Sequence, residues 1–236
     1  MESIKGIIVS CNKYKDNDLI LEILTEKGEI FSVTNRGGEK LKSLTHEFNM
    51  PFIKGEFEIY EANTKYYKLK AGKIEASLYQ EFSSNFEYLN IYSLLKELSS
   101  KYPLVEDSQL SQYYKLYDFT IKNLIKSDRK YFYALLFVIV EIWLTGYRPD
   151  FTNLNYDDNY KIGLDLKTGE FINFDYEVEE IQPLDNSKIL LLSKMFKSKY
   201  DVNEQVQLSE EESIKLIKVL ILYLGVVSET KLFGLI

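Results

Sequence analysis

The stretch Leu19–Asn35 reads LILEILTEKGEIFSVTN. Two runs rich in aliphatic and β-branched residues flank Lys27–Gly28, and a glycine there supplies the positive φ that a tight hairpin turn demands. Leu19, Leu21 and Ile23 on the first run, with Ile30 and Val33 on the second, form the inward face. Upstream, IKGIIVSCN (Ile4–Asn12) adds a strand through Ile4, Ile7, Ile8 and Val9. Downstream, PFIKGEFEIYEA (Pro51–Ala62) sets Phe52, Ile53, Phe57 and Ile59 inward, and KYYKLKAGKIEASLY (Lys65–Tyr79) follows with Tyr67, Leu69, Ile74 and Ala76. Between them, KLKSLTHEF (Lys40–Phe48) places Leu41, Leu44 and Phe48 at i, i+3 and i+7, the stripe of a helix of about two turns. Three strands, a short helix and two or three more strands is the order expected of an OB-type five-stranded barrel.

Beyond residue 80 the period becomes helical. FSSNFEYLNIYSLLKELSSKY (Phe82–Tyr102) aligns Phe82, Phe86, Leu89, Tyr92, Leu95 and Leu98, and Pro103 marks its end. SQLSQYYKLYDFTIKNLIKS (Ser108–Ser127) is a second amphipathic helix. DRKYFYALLFVIVEIWLTGY (Asp128–Tyr147) is apolar nearly all round and reads as the central helix of a bundle, with Asp128 as N-cap and Gly146 as C-cap. Residues 150–185 are acidic and turn-rich; within them LDLKTGEFINF (Leu164–Phe174) reads as a hairpin turning at Lys167–Gly169. Two more helices follow, NSKILLLSKMFKS (Asn186–Ser198) and SEEESIKLIKVLILYLGV (Ser209–Val226), the latter opening on a serine cap with three glutamates in its first turn. The apolar tail SETKLFGLI (Ser228–Ile236) is expected to dock on the bundle. The fold class is therefore α+β. We expect a barrel domain over residues 1–80 and a helical domain over residues 81–236, the latter interrupted by a small insertion at residues 150–185.

Composition narrows the function. The 236 residues are 45% hydrophobic, enough for a full core, and carry a net charge of −7, which argues against a generally basic nucleic-acid coat. The charge is uneven: twelve Lys/Arg balance twelve Asp/Glu in residues 1–80, so the whole acid excess lies beyond the barrel. A nucleic-acid surface belongs in the first domain. One cysteine, Cys11, leaves no intramolecular disulfide or multi-cysteine zinc site, and one histidine, His46, leaves no His-rich metal cluster. The opening Met1–Ser10 does not read as a leader, and the longest apolar run, Tyr131–Tyr147, is broken by Glu141 and short for a bilayer span. We expect a soluble cytoplasmic protein of a reducing compartment.

The sequence holds no Walker loop, G-x-S-x-G or H-E-x-x-H pattern. Cys11 reads as an unreactive strand residue and His46 as a helix-surface residue. Neighbouring carboxylates such as Asp157–Asp158 and Glu210–Glu212 fit loop solvation and the helix dipole better than acid–base work. A binding protein is the better reading than an enzyme. OB barrels bind single-stranded nucleic acid with a basic groove and stacking aromatics. The barrel offers Lys13, Lys15, Arg36, Lys40, Lys42, Lys65, Lys68 and Lys70, with Tyr14, Phe31, Tyr60, Tyr66 and Tyr67 among them. The loop NRGGEKLKS (Asn35–Ser43) concentrates three of the cations beside two glycines. Each of these side chains also has an ordinary use, as a solvated strand edge or half-buried packing.

These motifs, in this order, resemble the bacterial RecO family of recombination mediators. Gly6, Ile7, Tyr14, Asp18, Thr25 and Gly28 stand where that family carries its opening strand, tyrosine, aspartate and Leu-Thr-x-x-x-Gly turn. Gly37, Lys42, Ser43, Pro51 and Phe52 match its Lys-Gly-Ala-Arg-x-x-Lys-Ser and Leu-x-Pro-Phe segments; Arg36 replaces a usual lysine and Glu39 a usual arginine. LTGYRPDF (Leu144–Phe151) and the tail SETKLFGLI are similar to the family's Leu-Gly-Tyr-x-Pro and Lys-Leu-x-Ser-Leu segments. The resemblance implies an N-terminal OB domain, a helical bundle and a small zinc-finger insertion. It also implies binding of single- and double-stranded DNA, strand annealing, and loading of RecA onto SSB-coated DNA with RecR as partner, in the cytoplasm at the nucleoid, without enzymatic turnover. It would have Arg36, Lys40 and Lys42 contact phosphates, with Gly37–Gly38 admitting the backbone closely. Lys13, Lys15 and Lys68 complete the candidate DNA surface. SSB's acidic tail, ending in Pro-Phe, would need an apolar pocket rimmed by cations; Lys122, Lys126, Arg129, Lys130 and Arg148 are the candidates.

Two departures qualify the resemblance. The family's four zinc cysteines are replaced by residues such as Asn155, Asp158, Asn173 and Tyr176, so the insertion is expected to be metal-free, and no cofactor is expected. The loop is also less basic than usual, which leaves room for an alternative: a protein-binding adaptor whose OB barrel has lost DNA binding.

Overall fold

A computed structural model describes residues 1–61, 66–101, 107–152, 161–174, 180–199 and 206–231. The expectations placed on Lys65, Pro103, Asn155, Asp157, Asp158, Tyr176 and the end of the tail lie outside the described residues. The chain divides into two compact units, Met1–Asp128 and Arg129–Ile236.

The first unit is built on β1 (Glu2–Lys15), β2 (Asp18–Leu24), β3 (Ile30–Asn35), β4 (Ile53–Tyr60) and β5 (Tyr67–Ser77). They close a barrel in the order β1-β2-β3-β5-β4. The turn between β2 and β3 falls where the sequence placed it: Gly28 has φ +80° and donates its N–H to the Thr25 carbonyl at 2.9 Å. Antiparallel pairing of Leu21 with Val33 and Ile8 with Ile23 keeps the alternate apolar residues on one face. Closure comes from a short parallel pairing of β3 with β5, Val33 against Tyr67 and Thr34 against Lys68. Inside are Ile4, Ile8, Leu21, Ile23, Val33, Phe48, Phe57 and Ile59, all buried.

Three helices complete this unit: α1 (Leu78–Phe82), α2 (Phe86–Lys101) and α3 (Leu110–Lys126). Phe52 joins barrel to helices. It is fully buried at φ +62°, stacks on Tyr117 with ring centroids 4.8 Å apart, and meets Tyr92 edge-on. Left-handed backbone at an aromatic residue costs energy. It is sustained here because the Phe52 N–H donates to the Ile8 carbonyl and its own carbonyl accepts from Leu78.

The two-turn helix expected over Lys40–Phe48 is not formed; only His46–Phe48 makes a 3-10 turn. The backbone instead runs as successive i→i+3 turns, Gly37 to Lys40, Lys40 to Ser43 and Ser43 to His46. Ser43 Oγ accepts from the Thr45 N–H, as short polar side chains do when they compete with helical bonding, while the Thr45 hydroxyl reaches back to Asn35. The supposed stripe is thereby split. Phe48 is buried in the barrel, while Leu41 and Leu44 stand in solvent.

The second unit centres on α4 (Lys130–Leu144), buried at every position except Tyr133 and Trp143. Its N-cap is Arg129 rather than the expected Asp128, and no side chain caps it. A three-stranded sheet, β6 (Lys161–Asp165), β7 (Phe171–Phe174) and β8 (Ile181–Pro183), forms in the order β7-β6-β8, so the expected hairpin is present. Helices α5 (Asn186–Ser198) and α6 (Glu210–Val227) pack on α4. Helix α6 opens on a full capping box, Ser209 Oγ accepting from the Glu212 N–H and the Glu212 carboxylate accepting from the Ser209 N–H. Among the described residues no helix is long and apolar enough to cross a membrane.

Candidate nucleic-acid interface

One end of the barrel gathers most of the candidate cations. The connection after β3 is tied down at its base by Asn35, whose side chain is buried and whose amide Nδ2 donates to the Thr45 carbonyl at 2.9 Å. Thr45 Oγ1 donates back to Asn35 Oδ1, and His46 Nδ1 donates to the Gly38 carbonyl at 2.8 Å. Gly38 sits against this clasp: a Cβ there would lie 2.5 Å from Asn35 Nδ2. Gly37, at φ +64°, turns its N–H to Asp18 Oδ1 at 2.8 Å, and the Glu39 N–H donates to the Asn17 carbonyl at 3.2 Å. The loop is thus anchored to the start of β2 and to the turn between β1 and β2. A backbone held this way presents its side chains with little ordering cost on binding.

Arg36, Lys40 and Lys42 project from this platform, exposed, with no ion pair among the described residues. Lys13 is also exposed but is paired with Glu39 at 3.0 Å. Lys15 lies 5.2 Å from the Tyr14 ring centroid, and Tyr14 is 44% exposed with Tyr66 edge-on at 5.8 Å. Lys68, half-buried, stands 5.9 Å from the exposed Tyr60 ring and is paired in register with Thr34, two residues before Arg36. The structure therefore brings Lys13, Lys15, Arg36, Gly37, Lys40 and Lys42 to one barrel end, with Lys68 on the adjoining β3–β5 pairing. Phe31 and Tyr67 meet edge-on at 5.6 Å but pack against the core, so Tyr14 and Tyr60 are the rings presented for stacking. Lys70 is paired with Glu58.

The candidates for a partner tail are split between the units. Lys122 and Lys126 are exposed on α3 and line a groove of about 650 Å³ with Lys54, Ile121 and Ile125. Glu75, Glu81 and Asp118 also line it, and Asp118 is bound to Lys54 at 2.5 Å. Arg129 belongs to the second unit, where its guanidinium donates to the Val206 carbonyl at 2.6 Å and lies over the Phe132 ring. Lys130 is buried, and Arg148 is exposed beyond α4.

Cys11 and His46 approach each other through Asn49: Cys11 Sγ donates to the Asn49 carbonyl at 3.0 Å, and Asn49 Nδ2 lies 3.2 Å from His46 Nδ1. Burial, with a smaller contribution from Glu39, pushes the thiol up to about 12, against the opposing influence of Lys96. A thiol so protonated is no nucleophile at neutral pH. Sequence reasoning missed the Asn35–Thr45 clasp and the exposed leucines, because a buried asparagine and an outward leucine have no signature in residue spacing.

Residues 1–78 match the family described as Recombination protein O N terminal. DNA repair protein RecO of Lactobacillus acidophilus is 28% identical over 129 residues, covering 52% of this chain and 49% of that protein. RecO of Clostridium perfringens is 32% identical over 93 residues, covering 39% and 37%. RecO of Leuconostoc citreum is 28% identical over 151 residues, covering 64% and 57%. The chain thus matches about half the length, or less, of these curated relatives. The closed barrel spans the matched residues, so the N-terminal domain of this chain is similar to the N-terminal domain of the RecO proteins.

Proposed function

We propose that the protein is a DNA-repair and recombination mediator that binds single- and double-stranded DNA at the β3–β4 end of its barrel. The observation that carries this reading is the anchored loop with three exposed cations, Arg36, Lys40 and Lys42, that have no ion pair among the described residues. Phosphates would sit at that tip, Lys13, Lys15 and Lys68 would extend the track, and bases would stack on Tyr14 and Tyr60. DNA pairing, rather than side chains, then reads sequence, so the activity is strand annealing and, with RecR, the loading of RecA onto SSB-coated strands. No turnover is part of this reading. The groove at Lys54, Lys122 and Lys126 is proposed for the acidic tail of SSB, its isoleucines receiving the apolar end. On the second unit Arg148 is the freer candidate, since Arg129 is held by Val206 and Phe132. The site of action would be the cytoplasmic nucleoid.

A second reading, a protein-binding adaptor, is favoured by one feature: Glu39 lies within the loop and neutralises Lys13. Fluorescence anisotropy of a labelled single strand, titrated at several salt concentrations, separates the two. For the mediator, log affinity falls linearly with log salt, and changing Arg36, Lys40 and Lys42 together to alanine lowers that slope by about 2, at roughly 0.7 per phosphate contact. An unchanged slope overturns the loop assignment, and no binding at low salt favours the adaptor.

A further inference from the structure

Leu41 and Leu44 are 86% and 94% exposed, more than any other large apolar side chain among the described residues. They are not on a slack segment. The i→i+3 turns from Gly37 to His46 and the buried Asn35–Thr45 clasp hold the backbone that presents them. A singly exposed apolar side chain is ordinary on a protein surface; two of them three residues apart, on backbone held by hydrogen bonds and flanked by cations, single out this tip. Their neighbours define what that surface meets. Between Lys40 and Leu44 the tip carries two cations and no anion, with Arg36 beside it. The nearest anion in sequence, Glu39, is already bound to Lys13.

We propose that Leu41 and Leu44 form an apolar wedge that enters between bases of a DNA strand whose phosphates are held by Arg36, Lys40 and Lys42. The proposal rests on the DNA-binding reading and deepens it. Cations and leucines alternate along Lys40-Leu41-Lys42 at single-residue spacing, so the partner must offer negative charge and flat apolar faces side by side. A nucleic-acid strand with parted bases does so, and aliphatic side chains are known wedges in base steps. An anionic bilayer offers charge as well, but its apolar region lies beneath the headgroup plane, whereas a strand sets flat apolar faces directly beside its phosphates at the spacing of adjacent residues. Unstacking is cheaper in a single strand than in a duplex, so the wedge favours unpaired DNA and leaves the parted bases with pairing edges free for a complementary strand.

The test uses the full chain and a single-stranded oligonucleotide carrying 2-aminopurine, whose fluorescence rises when it unstacks, with anisotropy measured in parallel. The variants are Leu41→Ala/Leu44→Ala and the triple alanine change at Arg36, Lys40 and Lys42. Because both leucines are exposed, the first variant is expected to fold as the parent does, which circular dichroism checks. The expected result is a fluorescence rise with the parent protein. The leucine variant should keep the salt slope, bind about ten-fold more weakly and lose the rise. Parent binding without a fluorescence rise, or a leucine variant that matches the parent, overturns the wedge and leaves DNA binding standing. Absence of parent binding by anisotropy overturns the DNA reading itself, and the wedge with it. Leucine-dependent sedimentation with phosphatidylglycerol-containing vesicles, without the fluorescence rise, reassigns the tip to membranes.

Discussion

Glu141 lies in the middle of α4, 1% exposed, and neither carboxylate oxygen has a hydrogen-bond partner among the described residues. Burial alone pushes its pKa from the usual 4.5 up to about 8. The folded protein therefore holds a proton that the unfolded chain gives up. Stability from this group is fully present below pH 4.5 and is lost as pH rises through 8. Over that window the loss runs at about 1.4 kcal/mol per pH unit, so moving from pH 5 to pH 7.5 costs on the order of 3 kcal/mol. That is a large share of the roughly 5–15 kcal/mol a domain possesses. Glu141→Gln keeps the shape and removes the titration. Urea unfolding, followed by fluorescence of Trp143 on the same helix, measures it directly. Subtracting the variant's pH profile from the parent's cancels every other titrating group. The difference should fall by on the order of 3 kcal/mol between pH 5 and pH 7.5. Superimposable profiles would refute the reasoning, since they would mean that Glu141 finds water or a partner and ionises freely.

Two further outcomes follow from the first unit. With its thiol pushed up to about 12, the half-buried Cys11 should resist a disulfide reagent at pH 8 in the native protein and react fully once unfolded in urea; rapid native labelling would contradict the protonated assignment. Gly38→Ala places a methyl group 2.5 Å from Asn35 Nδ2 and should break the clasp with Thr45, at roughly 1–3 kcal/mol for buried polar groups left unpaired. Its thermal midpoint should fall and its oligonucleotide affinity should drop with the three cations intact; an unchanged midpoint would mean the loop base yields freely.

The division between what could and could not be read in advance is physical. The hairpin Leu19–Asn35 was readable because period-two alternation and a turn glycine are local properties, and the barrel respects both. Helix α6 was readable because its cap and first-turn glutamates act within four residues. The reading failed at Lys40–Phe48 for the complementary reason. A spacing of i, i+3, i+7 is compatible with a helix, but the outcome was set by Asn35, five residues earlier, and by Thr45. Their clasp spends the backbone on turns and leaves Leu41 and Leu44 without a core to face. The site shows the same split. Which residues are cationic is plain from the sequence. That Lys13 is paired, that Arg36, Lys40 and Lys42 have no ion pair among the described residues, and that the loop is held by buried and half-buried hydrogen bonds are long-range facts. The point where helical periodicity yields to the clasp is also the point where charge and apolar surface meet in solvent. A local pattern overridden by tertiary hydrogen bonds therefore singles out this candidate loop more sharply than the charges alone.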